Sequence, residues 1–245
     1  MASPSEAHTG AGSVTEVVLG PLLRADLHVP RLVTYGPLGR TELSTASLGN
    51  WSAKVAGLLR DELGLGPGSL VSVRTADFWQ SLPILLGCWW NGAVVTPDDD
   101  PDAAVAFVAD GDDAAADDVF VVSGHPLGAP SQQVAAHQRD FTTAVLGQAD
   151  RFGAPPALGP ESAALSADGR IRSVGEVLAI ARSSAGAFWS GIRVASTAPW
   201  TLPEPAVGLL LGTLLADGVV VQISDSAADV AAIAATEHCS VQFAG

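Results

Sequence analysis

The apolar residues of the stretch 48–63 recur at intervals of three and four positions, with polar residues between them. This spacing places the apolar side chains on one face of an α-helix, so it predicts an amphipathic helix that packs against a sheet. Gly64 and the Gly-Pro-Gly turn at 66–68 end the helix, because Gly accepts a left-handed conformation and Pro cannot continue the hydrogen-bond ladder.

A strand, a helix and a second strand are predicted directly after this turn. The apolar runs 70–73 and 93–95 are strand-like, and residues 78–90 form the helix between them, with Asp77 as its expected N-cap. Two strands joined in this way by a helix and short connections form a βαβ unit and run parallel. The continuous apolar run 119–122 is likewise typical of a buried parallel strand.

A similar pattern occurs near the other end of the chain. Leu-Leu-Leu-Gly at 209–212 and Gly-Val-Val-Val at 218–221 repeat the order of Ile-Leu-Leu-Gly at 84–87 and Gly-Ala-Val-Val at 92–95. The repeat predicts an α/β fold with two related lobes, each of mostly parallel sheet flanked by helices. Internal duplication and independent origin both explain it, since short apolar periodic segments look alike.

The predicted lobes divide the chain at residues 153–160, a segment with three prolines and two glycines. The first lobe spans residues 16–152 and the second residues 161–245, and the two are free to pack as one domain. Residues 1–15 are small and polar and are expected to be disordered. The remaining predicted elements are strands at 31–35, 105–108, 192–195, 219–223 and 241–243, and helices at 17–25, 140–152, 174–189 (capped by Ser173 and Glu176), 206–215 and up to 236 (capped by Ser224 or Asp225).

Composition restricts the class of partner. The chain has 245 residues, of which 48% are hydrophobic and 16% charged, as in a globular protein. Its formal net charge of −14 argues against nucleic acid as a partner, because phosphate binding requires clustered cations. No apolar run reaches the roughly 20 residues of a membrane helix. A secretion signal is also missing from the N-terminus, so the protein is expected to be cytoplasmic, without a membrane partner.

Few residues suggest metal or thiol chemistry. Lys54 is the only lysine and lies off the apolar stripe of the first helix, where a solvated side chain is expected. The acidic segment 98–118 lacks the Gly and the closing Glu of an EF-hand, so it predicts a solvated rim. Cys88 and Cys239 have no metal-ligand spacing and are expected to be buried free thiols. No metal ligand is predicted.

Ser123 and His125 follow a predicted strand, at the edge where open α/β sheets bind ligands. The two residues suggest a nucleophile and a base, but they do not form a G-x-S-x-G elbow and stand in a turn rich in Pro and Gly. We therefore predict a turn and no catalytic residue. Together with Trp200 and Thr201, the loop 123–125 is a candidate lining of a cleft between the lobes.

From about Arg31 onward the chain resembles the adenylate-forming superfamily, which comprises the acyl-CoA synthetases and their relatives. The match lies in packing positions of a helix, a strand, a second helix and a Gly-Ala-Val-Val-x-Pro strand. The cluster Leu-Gly-Cys-Trp-Trp-Asn-Gly at 86–92 and the chain length are similar to a short actinobacterial family of truncated homologues of unknown function. The matching segments are VAGLL at 55–59, LGPGSLV at 65–71, GAVVTP at 92–97, ASTAPW at 195–200 and LLADGVVV at 214–221.

The resemblance implies a loop rich in Ser, Thr and Gly, with a Lys, whose backbone amides hold the phosphates of ATP. The segment 162–173, where this loop is expected, reads SAALSADGRIRS. Its tight turn at 166–169 has one Gly, and Asp168 in that turn repels phosphate. Arg170 or Arg172 replaces the loop lysine only electrostatically, since Arg and Lys differ in shape and hydration.

Other superfamily residues are also missing from their expected positions. Trp200 and Thr201 stand where the superfamily has a His, and its ribose-binding acid and catalytic lysine are expected beyond residue 245. We therefore expect a non-catalytic remnant without a cofactor, which binds a small ligand in the inter-lobe cleft or a protein partner. The alternatives are a minimal or split acyl-adenylate or acyl-CoA synthetase subunit completed by a second chain, and a purely structural homodimer subunit.

Overall fold

The structure is a computed structural model that describes residues 12–75 and 77–243. Strands and helices alternate along most of the chain. The strands are β1 (Pro30–Gly36), β2 (Gly39–Ser44), β3 (Leu70–Arg74), β4 (Val94–Thr96), β5 (Val105–Ala109), β6 (Asp118–Val122), β7 (Gln138–Asp140), β8 (Ala163–Ala167), β9 (Arg170–Ser173), β10 (Arg193–Ser196), β11 (Val219–Ile223) and β12 (Val241–Phe243). The helices are α1 (Val14–Val18), α2 (Gly20–Leu23), α3 (Thr45–Gly57), α4 (Ser81–Asn91), α5 (Phe141–Leu146), α6 (Val174–Ala185), α7 (Gly212–Leu215) and α8 (Val230–Thr236).

The strands form two sheets. The five-stranded sheet has the order β12-β10-β11-β1-β2, and the seven-stranded sheet has the order β7-β6-β5-β3-β4-β8-β9. Neighbouring strands run parallel, except in the hairpins β1–β2 and β8–β9. Two π-helical segments, Leu58–Glu62 and Val207–Leu211, follow α3 and precede α7. The predicted α/β class with two mostly parallel sheets is confirmed.

Both predicted βαβ units form. In the first, β3 and β4 flank α4 and pair in parallel, with Leu70 opposite Val94. In the second, β10 and β11 pair in parallel, with Val194 opposite Val220. The two units therefore share one local topology, as the repeated apolar pattern indicates.

One apolar core joins the two sheets. It contains Leu32 and Val220 of the five-stranded sheet, Val71 and Phe107 of the seven-stranded sheet, and apolar side chains of α1, α3, α4, α6 and α7. Every residue of α4 except Trp90 is buried. Because a single core spans both sheets, neither sheet packs independently of the other.

The two sheets do not correspond to the two predicted lobes. Strands β8 and β9, which follow the predicted linker 153–160, extend the seven-stranded sheet through the pair Val95 and Leu165. Strands β1 and β2 precede the linker and join the five-stranded sheet, with Leu32 opposite Val220. Local pattern cannot reveal pairing between strands so far apart in the chain.

The N-terminal prediction needs a partial correction. Residues 1–11 lie outside the described residues, but Val14 and Thr15, which the sequence assigned to a disordered segment, lie in α1 and are buried. Ser13 and Glu16 form a capping box at the start of this helix. The hydrogen bonds between Ser13 and Glu16 and the burial of Val14 stabilise this helix, although the polar composition of the segment predicts disorder.

Three helices differ from the prediction in their cap or in their end. Asp77 does not cap α4, which begins after Gln80 without a side-chain cap. Helix α5 begins at Phe141, directly after its cap Asp140, and ends at Leu146 and not at the predicted residue 152. Asp229 caps α8, in place of Ser224 or Asp225. The Asp77 carboxylate forms other hydrogen bonds, which are described below.

Helix α4 crosses α3 at Gly87. A Cβ atom at this position would lie 2.5 Å from the Cβ of Val55 and 2.8 Å from the carbonyl oxygen of Ser52. Overpacking a core usually costs about 1–3 kcal/mol, so Gly87→Ala is expected to lower the free energy of unfolding by that amount. Urea denaturation measures the change.

The matched control is Gly66→Ala, since a Cβ atom at Gly66 would have no neighbour within 4 Å. This variant is expected to unfold within about 0.5 kcal/mol of the unchanged chain. Equal stability of the Gly87→Ala and Gly66→Ala variants would contradict the close packing of α3 on α4.

Candidate functional site

A cavity of about 180 Å³ lies where strands of the two sheets end. Its lining includes Thr34 of β1, residues that directly follow β6 and β11, and residues 77–79 after β3. The carboxyl ends of parallel strands are where open α/β sheets bind ligands. We call this cavity the cleft. The residues used below from its lining are Thr34, Asp77, Phe78, Trp79, Ser123 and Ser224.

Asp77 lies at the centre of a hydrogen-bond group beside the cleft. Its Oδ1 accepts a hydrogen bond from the backbone N–H of Trp200 at 2.7 Å, and its Oδ2 accepts one from Nε2 of Gln222 at 3.3 Å. Burial raises the pKa of the Asp77 carboxyl, and these two hydrogen bonds partly oppose the rise. The carboxylate is therefore held in place by neutral donors.

The side chains of Trp200 and Gln222 are hydrogen-bonded to each other beside the five-stranded sheet. Nε1 of Trp200 donates to Oε1 of Gln222 at 2.9 Å, and Nε2 of Gln222 also donates to the carbonyl oxygen of Ala198 at 3.0 Å. Gln222 is fully buried in β11. Asp77 follows a strand of the seven-stranded sheet, so this group of side chains ties the two sheets together at the cleft.

The loop after β6 forms one wall of the cleft through Ser123 and Gly124. The Ser123 hydroxyl donates to the carbonyl oxygen of Ala129 at 2.6 Å, and Nδ1 of His125 accepts from the backbone N–H of Leu127 at 3.1 Å. Both side chains thus hold the loop in its turn. Their lack of a catalytic role stays a prediction.

Gly124 is required in this wall by the ring of Phe78. Its φ is +62°, and a Cβ atom there would lie 2.6 Å from the Phe78 ring. Only Gly combines this backbone conformation with so close an approach. The aromatic wall and the loop therefore fit together as one surface.

The hairpin β8–β9 occupies the position where the superfamily resemblance implies a phosphate loop. Only Asp168 and Gly169, both with positive φ, join the two strands. Arg172 forms an ion pair with Asp168 at 3.5 Å, and Arg170 forms one with Glu176. The two cations that follow the turn are thus each paired with an acidic side chain.

Comparison with known proteins shows the family. No family model matches the chain. The chain is, however, 34% identical over 226 residues to a protein of Mycobacterium tuberculosis (strain ATCC 25618 / H37Rv) named "TIGR03089 family protein", and the match covers 87% of this chain and 90% of that protein. This chain belongs to the TIGR03089 family. The name of the family states no activity.

Solved structures show that this TIGR03089 family member has the fold of part of an acyl-CoA synthetase. A Brucella canis acyl-CoA synthetase matches with a TM-score of 0.80 and 15% identity, over 98% of this chain and 48% of that chain. The anthranilate CoA ligase AuaEII, solved with anthranoyl-AMP, matches with a TM-score of 0.71 and 14% identity, over 85% and 44%. The chain thus spans about half the length of these enzymes, and such low identity shows the fold alone.

The candidates predicted for the cleft of this TIGR03089 family protein are only partly brought together. The loop 123–125 and Trp200 lie at the cleft or bond to its residues, whereas the Thr201 hydroxyl donates to the carbonyl oxygen of Glu204 in an exposed turn. Asp77 and Gln222 were missed. A Gln in the otherwise apolar strand β11 is the signal that marks a buried polar contact.

Lysine and thiol chemistry stay outside the cleft. Lys54 was expected to be solvated, but its Nζ forms an ion pair with Asp150 at 2.9 Å and donates to the carbonyl oxygen of Gln148. Cys88 is a buried free thiol, as predicted, and burial raises its pKa. Cys239 is also free but only half-buried. None of these three groups lines the cleft.

The acidic segment gives no metal centre. Within residues 12–75 and 77–243, no group of three or more His, Cys, Asp or Glu side chains is arranged to hold a metal ion. Asp99 pairs with Arg74 at 3.0 Å, and Asp113 pairs with His137 at 3.0 Å. Helices long and apolar enough to cross a membrane are also absent from this part of the chain.

Proposed function

We propose that this TIGR03089 family member is a non-catalytic relative of the adenylate-forming enzymes that binds a small molecule in the cleft. The observation that carries the proposal is the two-residue turn of Asp168 and Gly169 between β8 and β9. This hairpin stands where the resemblance implies the loop that holds ATP phosphates.

A phosphate loop needs several consecutive backbone N–H groups around the anion, usually with a free cation beside them. The turn of β8–β9 has too few residues to surround a triphosphate, and Asp168 within it carries a negative charge that repels one. Arg170 and Arg172 are engaged with Glu176 and Asp168. These features support loss of ATP use together with retention of the fold.

The size of the cleft supports a small ligand. Its volume of about 180 Å³ is below the roughly 300–1,000 Å³ that is usual for pockets of drug-sized molecules. An acyl-adenylate is larger than such a cleft accommodates. The lining combines apolar side chains with a few polar groups, as in other small-molecule sites.

The test is a pyrophosphate-release assay with ATP, Mg²⁺ and a panel of carboxylic acids, accompanied by calorimetric titration of ATP. We expect no release above that of a protein-free reaction and no saturable binding of ATP. An intact acyl-CoA synthetase in the same buffer is the positive control. Pyrophosphate-releasing activity that co-elutes with this protein on size-exclusion chromatography would overturn the proposal.

A split synthetase completed by a second chain is the alternative outcome. In that case, release would begin only when an extract from the source organism is added, and affinity purification would recover a second chain with the protein. Recovery of this chain by itself, with no release in the presence of extract, would leave the non-catalytic proposal standing.

A further inference from the structure

We infer that the small ligand of the cleft carries an ammonium group, which forms an ion pair with Asp77. The inference rests on the proposed function, since it names the chemical class of the ligand at the same site. It is drawn from the charge, the hydrogen bonds and the walls of the cleft, which are taken in turn below.

Asp77 is the one charged side chain among the described residues that line the cleft. Its hydrogen-bond partners, the Trp200 backbone and the Gln222 amide, are both neutral, and none of the ion pairs within the described part of the chain includes it. Asp77 is half-buried, and a charge that loses part of its hydration is normally compensated by a partner, because leaving water costs free energy. A cationic ligand completes the pairing, whereas an anion would find no cation in the lining.

The hydrogen bonds of Asp77 leave room for this ligand. A carboxylate has about four acceptor positions, and Trp200 and Gln222 each occupy one. An ammonium group offers three donors and can take the positions that remain. Because Gln222 is itself held by Trp200 and Ala198, the carboxylate is oriented before the ligand arrives, which lowers the entropy cost of binding.

The walls of the cleft suit a short apolar or aromatic body on the amine. Phe78 and Trp79 line it, and Nε1 of Trp79 donates to the carbonyl oxygen of His125 at 2.9 Å, which fixes the indole. Aromatic faces also attract cations. The hydroxyl groups of Thr34 and Ser224 are among the other polar groups in the lining. A primary amine with a short aromatic or apolar substituent matches this combination.

Three probes of one shape and different charge test the inference: benzylamine, benzyl alcohol and benzoate. We expect NMR titration at millimolar concentration to show saturable shifts with benzylamine and much weaker binding of benzoate. Asp77→Asn removes the charge and keeps the shape of the side chain. It should weaken the binding of benzylamine about 10- to 100-fold, as expected for loss of a charged hydrogen bond. Asp102→Asn makes the same charge change at an exposed position outside the lining and should bind like the unchanged chain.

The outcomes separate the two proposals. Equal binding of benzylamine to the Asp77→Asn and Asp102→Asn variants would overturn the assignment of Asp77, as would a lack of benzylamine binding by the unchanged chain. If benzyl alcohol binds and benzylamine does not, the cleft is a ligand site but the ammonium inference is wrong. Pyrophosphate release would overturn the non-catalytic proposal without affecting the benzylamine result. Thermal melting of both variants confirms that they are folded.

Discussion

Replacement of Trp89 by Ala is expected to lower the free energy of unfolding by about 3–5 kcal/mol, the usual cost of truncating a buried Trp. Trp89 is 2% exposed and lies in α4 within the core shared by the two sheets. Its Nε1 donates to the carbonyl oxygen of Ala164 in β8 at 2.8 Å. The substitution therefore leaves both a cavity and a buried carbonyl group without its donor.

Urea denaturation followed by circular dichroism measures this loss. Trp89→Phe retains most of the apolar volume and removes the N–H donor, so it should cost about 1–3 kcal/mol for the unsatisfied carbonyl, plus a smaller packing term. Trp189→Ala is the matched control, because Trp189 is 56% exposed. If Trp89→Ala unfolds at the same urea concentration as Trp189→Ala, the contact of α4 with β8 is not the one described.

Glu237→Ala is the second variant with a large expected effect. The Glu237 side chain is 8% exposed and accepts hydrogen bonds from Tyr35 at 2.7 Å, from Arg40 at 2.9 Å and from Arg193 at 2.6 Å. Removing one partner of a buried ion pair costs about 3–5 kcal/mol. Arg40 and Arg193 are 40% and 24% exposed. Solvent screens such pairs, so we expect about 2–3 kcal/mol.

The effect of Glu237 should depend on pH. Burial raises its pKa, but the hydrogen bonds from Arg40 and Tyr35 and the charges of Arg40 and Arg193 outweigh burial, so the pKa lies below the ordinary value. A carboxylate whose folded pKa is depressed stabilises the fold above the unfolded pKa of about 4.3, and this stability is lost as the pH falls through the folded pKa.

The unchanged chain and Glu237→Gln should therefore differ most in stability near neutral pH and converge as the pH falls below about 4. Denaturation series at several pH values measure the difference. Glu161→Gln, a matched change at an exposed residue, should track the unchanged chain at every pH. A constant gap between the unchanged chain and Glu237→Gln across the series would show that Glu237 acts through packing and not through its charge.

Strands with continuous apolar runs could be predicted closely from the sequence, because burial on both faces leaves a clear pattern. Strand β11, buried throughout, is found at the predicted residues 219–223. Strand β12 also lies at the predicted residues 241–243, although none of its residues is buried. Strands β8 and β9 were not predicted, and neither were β2 and β7. The residues of β2 and β7 are mostly polar, and β2 pairs with β1, with Arg40 opposite Tyr35. Polar strands at the edge of a sheet carry no such periodicity.

Only part of the candidate site could be predicted from the sequence. The loop 123–125 follows a recognisable strand, so its place at the sheet edge could be predicted. The pairing of Asp77 with Trp200 and Gln222 depends on how the two sheets pack, and the local sequence around Asp77 resembles a helix cap. The short β8–β9 turn was indicated by its composition, but its two-residue length follows from the strand register.

The pairing of β1 with β11 affects how the chain folds as it is made. Strand β1 leaves the ribosome well before its parallel neighbour, Val219–Ile223, which lies far along the chain from it. Until that segment has been synthesised, the apolar face of β1, including Leu32, lacks part of its packing. Contacts between such remote segments form slowly, so β1 stays without this neighbour while the intervening residues are made, and an exposed apolar strand is prone to aggregation.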